Sequence, residues 1–116
     1  MLLKIIARLL LGTIFYISAI RSLFFDYDGF SEYLGSLNIP SPKVIGSIIL
    51  GFKLIMGIIV AVSPLDVVTN VAAGSLAIFT ALATILAHNI LVDPSQFSHM
   101  MKNISIIGGL LLLMDN

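Results

Sequence analysis

The chain has 116 residues, enough for one domain, of which 59% are hydrophobic and 10% charged. Soluble domains are about 45–50% apolar and about 25% charged, so a soluble core of this size cannot hide the apolar surface and a bilayer is the solvent that fits. Six basic residues cancel six acidic ones, which excludes the basic excess that nucleic-acid phosphates require, and the absence of cysteine excludes disulfides, thiolate metal sites and covalent haem attachment.

The first apolar stretch runs from Leu2 to Phe25 and is interrupted by Lys4, Arg8 and Arg21. Its basic start resembles a signal peptide, but no small-x-small cleavage site follows, so a retained first helix is expected. Arg8 reads as an interfacial anchor. Arg21 is more open, because the small Ser18 and Ser22 flank it and suit a polar crevice.

The connection from Asp26 to Ser41 carries Phe30, Tyr33, Leu34 and Leu37 at i, i+3, i+4 and i+7, with Asp28, Glu32 and Ser36 between them. That spacing predicts a short amphipathic helix over about 29–37, lying at the membrane surface.

Three Ser-Pro or Asp-Pro pairs then punctuate the chain: Ser41-Pro42, Ser63-Pro64 and Asp93-Pro94. Proline at the first helical position sacrifices no hydrogen bond, and the residue before it accepts from a free N–H one turn in. Ser63 with Asp66 and Asp93 with Gln96 resemble reciprocal capping boxes. Helices are therefore expected over about 42–62, 64–90 and 94–114. The last is about 31 Å long, enough to span. The fold class expected is all-α, an integral membrane four-helix bundle forming a single transmembrane domain over 1–116.

Helices in lipid associate through close backbone approach, which small residues permit. Ser47 with Gly51, Gly57 with Ala61, Ala73 with Ala77 and Ala81, Ala83 with Ala87, and Ser105 with Gly109 are spaced for it, so every helix after the first carries a small-residue stripe.

Lys53 lies nine places from either end of the run Val44 to Val62, about 14 Å from each. A lysine at that depth costs about 2.5–3.5 kcal/mol on insertion scales, which the surrounding Ile, Leu, Val and Phe offset at about 0.3–0.6 kcal/mol each. No span has a carboxylate at a similar depth. Snorkelling, a polar cavity, an anionic ligand, a neighbouring subunit or a neutral amine could each accommodate it.

In the third helix Thr80, Thr84 and His88 fall on one face, and His99, Lys102 and Asn103 belong to the first half of the fourth. If these helices are antiparallel neighbours, the groups meet at one end of the pair. His88, His99 and Asp93 could hold a metal and two histidines a haem, but two histidines without a recognised ligand spacing are weak evidence for either. A polar head-group or anion site fits better. The candidate ligand-binding residues are Arg21, Lys53, Thr84, His88, Lys102 and Asn103, with no catalytic and no metal-ligating residue among them.

Basic residues do not separate the two sides of the membrane, since Lys4 and Arg8 face Arg21, Lys43 and Lys102 with acidic residues between. The free amine and Lys4 favour cytoplasmic termini.

Several segments together resemble the DoxX family of small bacterial membrane proteins: Arg8-Leu9-Leu10-Leu11-Gly12-Thr13-Ile14-Phe15, the amphipathic connection ending in Ile39-Pro40, the stretch from Gly51 to Gly57, Ala87-His88, and Lys102-Asn103 leading to Gly108-Gly109. The resemblance implies a four-helix bundle in the plasma membrane and association with redox systems, since some relatives are subunits of a thiosulfate–quinone oxidoreductase and others are linked to thiol and oxidative-stress complexes. Relatives often place Gly and Lys where this chain has Ala19-Ile20-Arg21. They often carry Glu where this chain has Lys53, so a site there should prefer an anion or a neutral polar head.

The function expected is that of an accessory subunit of a quinone-linked membrane redox complex, not an enzyme by itself, with quinone as the candidate cofactor and lipid, other membrane subunits or further copies as partners. A small anion transporter or channel, or a structural subunit of a larger complex, are the alternatives. Multidrug exporters of this size use a membrane carboxylate that these spans lack.

Overall fold

A computed structural model of the chain describes residues 1–88 and 91–115. The predicted end of the third helix at Ile90, and Asn89 in the connection after it, lie outside the described residues. The fold is all-α: α1 (Leu2–Phe25), α2 (Tyr27–Ser36), α3 (Pro42–Val62), α4 (Asp66–Ala87) and α5 (Phe97–Met114), with a 3₁₀ turn at Pro94–Gln96 leading into α5. Among the described residues, four helical stretches, of 24, 21, 22 and 21 residues when the 3₁₀ turn is counted with α5, are long and apolar enough to cross a membrane. Their outer faces expose Leu3, Phe25, Val67 and Leu112, each more than 70% accessible. Water would penalise such surface, and hydrocarbon would not. The helices group into two compact units, residues 1–62 and 63–116.

In the first unit α1 packs along α3. The closest approach is at Gly12 and Gly57. A Cβ on Gly12 would lie 2.7 Å from the carbonyl oxygen of Gly57, and one on Gly57 would lie 2.9 Å from Phe15 Cβ and 3.0 Å from the Tyr16 nitrogen. Only glycine lets two helix backbones come so near. Phe15, Ala19, Leu50 and Val60 are buried in this unit. The pair Gly57 and Ala61 is buried as its spacing predicts. The first helix, expected to lack such a stripe, supplies Gly12 and, seven residues on, the fully buried Ala19. The Ser47–Gly51 pair makes no such contact. Ser47 is exposed and meets the Tyr27 hydroxyl, and nothing lies within 4 Å of where a Gly51 Cβ would be.

The amphipathic helix begins two residues earlier and ends one residue earlier than the spacing predicts. Asp26, at φ −154° and ψ 46°, breaks α1 from α2. Leu34 is buried, and the Leu34 and Phe30 side chains lie 3.3–3.4 Å from a Cβ built on Gly46, so α2 rests on the start of α3. Its C-terminus closes in a Schellman motif. Asn38, at φ 63°, takes the left-handed position, the Asn38 N–H donates to Gly35 O, and the Ile39 N–H donates to Leu34 O.

The three proline starts divide. Pro42 opens α3 as predicted, but Ser41 sits at φ 47°, outside the extended geometry of a side-chain cap, and its carbonyl oxygen takes the first bonds from Val44 and Ile45. Pro64 does not open α4. Ser63 Oγ accepts from the Leu65 N–H at 3.2 Å, a local turn that holds Leu65 extended and delays the helix to Asp66. Asp66 is then the first helical residue, so the Ser63–Asp66 capping box does not form. Asp93 caps as expected: its Oδ1 accepts from the Ser95 N–H at 3.0 Å and from the Ser95 hydroxyl at 2.7 Å, with Pro94 first in the turn.

In the second unit α4 and α5 run antiparallel. A Gly74 Cβ would lie 3.2 Å from Met114 Cε, Asn103 reaches Thr84, and His99 lies against His88. Ala72, Ala73, Leu76, Ala77 and Leu110 are buried, so the alanine series from Ala73 is interior over its first turns.

Candidate functional site

The polar end of the second unit is built on α4 and α5. Thr80 and Thr84, four residues apart, share one face of α4, and His88, four further on, is the residue that ends it, at φ −129° and ψ 34°. Thr84 and Asn103 are both buried, and the Asn103 Nδ2 donates to Thr84 Oγ1 at 3.0 Å. The Thr84 hydroxyl in turn donates to the Thr80 carbonyl at 2.7 Å. One turn deeper, Thr80 Oγ1 is buried and makes no hydrogen bond among the described residues. A buried hydroxyl in that condition costs about 1–3 kcal/mol, so its persistence calls for an explanation.

At the outer end His88 Nδ1 lies 2.8 Å from Gln96 Oε1. The Gln96 Oε1 is an amide oxygen and only accepts, so His88 Nδ1 is the donor in this pair. The ring of His99 stacks on that of His88, centroids 4.9 Å apart and planes 27° apart. Stacked rings direct their nitrogens side by side rather than towards a common point, and no group of three metal-type ligands comes together among the described residues. The Ser95 hydroxyl, then the Ser95 N–H, with a smaller part from Gln96, hold the exposed Asp93 carboxyl below its ordinary range.

Of the candidate residues, Thr84, His88 and Asn103 come together here. Lys102 is on α5 next to Asn103 but points outward and is exposed. Arg21 and Lys53 belong to the first unit: Arg21 is exposed near the end of α1, and Lys53 is half-buried in the middle of α3. Ser18, expected to line a crevice beside Arg21, turns its hydroxyl onto the Ile14 and Phe15 carbonyls of its own helix.

Sequence reasoning missed the parts played by Gln96 and Arg8. Gln96 reads as a capping residue, whereas its Oε1 lies 2.8 Å from His88 Nδ1, eight residues earlier. Arg8 reads as an anchor, whereas its Nε donates to the Val60 carbonyl at 2.7 Å and its Nη2 to that of Ile59 at 3.5 Å. These are among the last four carbonyls of α3, which have no partner within the helix.

The DoxX family model matches residues 3–89. That span takes in α1 to α4, three quarters of the chain, and stops short of the α5 half of the site. Comparisons with curated proteins and with solved structures give no significant match. With four apolar membrane-length helices and a family match over most of its length, this multi-pass membrane protein belongs to the DoxX family.

Proposed function

We propose that the protein is an accessory subunit of a quinone-linked redox complex in the plasma membrane, with cytoplasmic termini, and that it contacts a quinone head group at the Thr84, His88 and Asn103 end of its second unit. The observation that carries this reading is the buried Asn103–Thr84 hydrogen bond next to the His88–His99 pair. A quinone needs an apolar slot for its tail and a few convergent hydrogen-bonding groups for its ring oxygens. The Asn103 amide and the His88 ring would supply the polar contacts, and the buried Thr80 hydroxyl is a donor that a ring oxygen could satisfy. The bound quinone would supply the redox chemistry. The residues of this chain bind and orient it, and electron transfer belongs to partner subunits. Lys53 would serve the bilayer-embedded fold rather than this site.

The test is purification from native membranes in mild detergent, with mass spectrometry of the proteins that accompany the chain and of extracted lipids. Redox subunits and quinone are expected in stoichiometric amount. Recovery of the chain alone, free of both, would sink the proposal.

A further inference from the structure

The outward face of α1 carries a cation that the rest of that face does not balance. Leu10, Ile14, Ile17, Arg21 and Phe24 follow one another at steps of four and three residues, so they form one stripe along the helix. All of them are exposed, as is Phe25: Ile17 is 51% accessible, Phe24 73% and Phe25 82%. Gly12, Phe15 and Ala19 make up the buried face instead. In a membrane-spanning helix the exposed apolar stripe meets lipid. Arg21 stands four residues, about 6 Å, from the end of α1, so its long side chain reaches the headgroup layer.

A guanidinium in that position requires an anionic partner. Among the described residues Arg21 makes no hydrogen bond and no ion pair. The first acidic residues after it are turned elsewhere. Asp26 folds its carboxylate onto Gly29, where a Cβ would touch both oxygens, and Asp28 lies 3.9 Å from Lys43 Nζ. Ser18, one turn back, gives its hydroxyl to its own helix. We infer that Arg21 binds the phosphate of a phospholipid in the adjoining leaflet. The planar fork of the guanidinium matches a phosphodiester. One acyl chain then lies along Ile17 and Ile14, with Phe24 and Phe25 at the level of the glycerol. The neighbouring charges select the lipid. Exposed Asp26, Asp28 and Glu32 outnumber exposed Arg21 and Lys43, so this corner is net negative. That balance opposes a lipid with net negative charge and suits a zwitterionic one whose ammonium answers the carboxylates. Phosphatidylethanolamine has that chemistry.

The experiment places the full chain in nanodiscs of equimolar phosphatidylethanolamine and phosphatidylglycerol, releases it into mild detergent, and counts the lipids that stay bound by native mass spectrometry. One phosphatidylethanolamine per chain should remain, enriched about threefold or more over phosphatidylglycerol. Arg21→Gln should lower its retention roughly tenfold. Arg21→Lys, a point charge without the fork, should keep part of it. Lys4→Gln, which removes an exposed cation at the other end of α1, should leave retention unchanged. Full retention by Arg21→Gln, an equal loss in Lys4→Gln, or enrichment of phosphatidylglycerol on the parent chain would overturn the inference. So would a parent chain that retains no phospholipid.

Discussion

Arg8 Nε donates to the Val60 carbonyl at 2.7 Å, so a cation of α1 closes the C-terminus of α3. The helix end carries partial negative charge and unpaired carbonyls. A bond from a charged donor contributes about 1.5–3 kcal/mol. Arg8→Met should therefore destabilise the protein by about 2 kcal/mol in mixed-micelle unfolding, and Arg8→Lys, a single point charge without the planar fork, by less. Equal stability of Arg8→Met and the parent would show that the contact contributes nothing.

The glycine crossing predicts a contrast between positions that the sequence does not distinguish. Gly57→Ala puts a methyl group 2.9 Å from Phe15 Cβ and 3.0 Å from the Tyr16 backbone nitrogen, and backbone cannot step aside. Overpacking of this kind costs about 1–3 kcal/mol. Gly51→Ala meets nothing within 4 Å and should be neutral or stabilising by up to about 1 kcal/mol through helix propensity. Thermal unfolding in detergent compares the two, and a Gly57→Ala protein as stable as Gly51→Ala would refute the crossing.

The long helices were legible because hydropathy and proline position act locally: α1 and α3 begin and end where the apolar runs and Pro42 place them. What the sequence could not show is which partner a polar group finds. Ser63 has the place of a cap because it precedes a proline, yet its hydroxyl turns to Leu65 and the helix starts at Asp66. Arg8 looked like an anchor because its target is a carbonyl 52 residues away, and backbone carbonyls leave no mark in a sequence. The helical spacing put Thr84 and His88 on one face. The pairing with Asn103 and His99 required the antiparallel register of α4 and α5.

The Asn103–Thr84 bond should register as a coupling energy. Asn103→Leu, Thr84→Val and the double variant form a cycle in which each single change removes the same bond. Interhelical polar bonds in membrane proteins average about 0.6 kcal/mol with an upper range near 1.7 kcal/mol, so a coupling of about 1 kcal/mol is expected. Strict additivity of the two single changes would mean that the helices gain nothing from this contact.

Asp93 gives a pH dependence of definite sign. Its folded carboxyl lies below the ordinary value of 3.8, chiefly because the Ser95 hydroxyl and N–H bond to the ionised form. A depressed carboxyl contributes stability that is complete above its unfolded value and is lost as pH falls through the folded one. Between pH 5 and 8 the contribution of Asp93 should thus be constant, and below pH 4 it should decline. Asp93→Asn removes that decline, which is measured as the difference between the two stability curves. A difference that instead grew as the pH dropped would have the wrong sign for this arrangement.

Lys53 tests how the centre of α3 accommodates a charge. The side chain is half-buried in the middle of a 21-residue apolar helix. A central lysine opposes insertion by about 2.5–3.5 kcal/mol, reduced where the long stem reaches a polar region. Lys53→Met should therefore raise the insertion efficiency of the α3 segment in a translocon assay, by up to that amount, and leave the four-crossing topology of the full chain intact in reporter fusions. The same variant in liposomes separates the proposed role from anion transport, because a subunit that binds a quinone in its second unit should show no anion flux that depends on Lys53. Flux present in the parent and abolished by Lys53→Met, with folding preserved, would favour a pathway through the first unit over the redox reading.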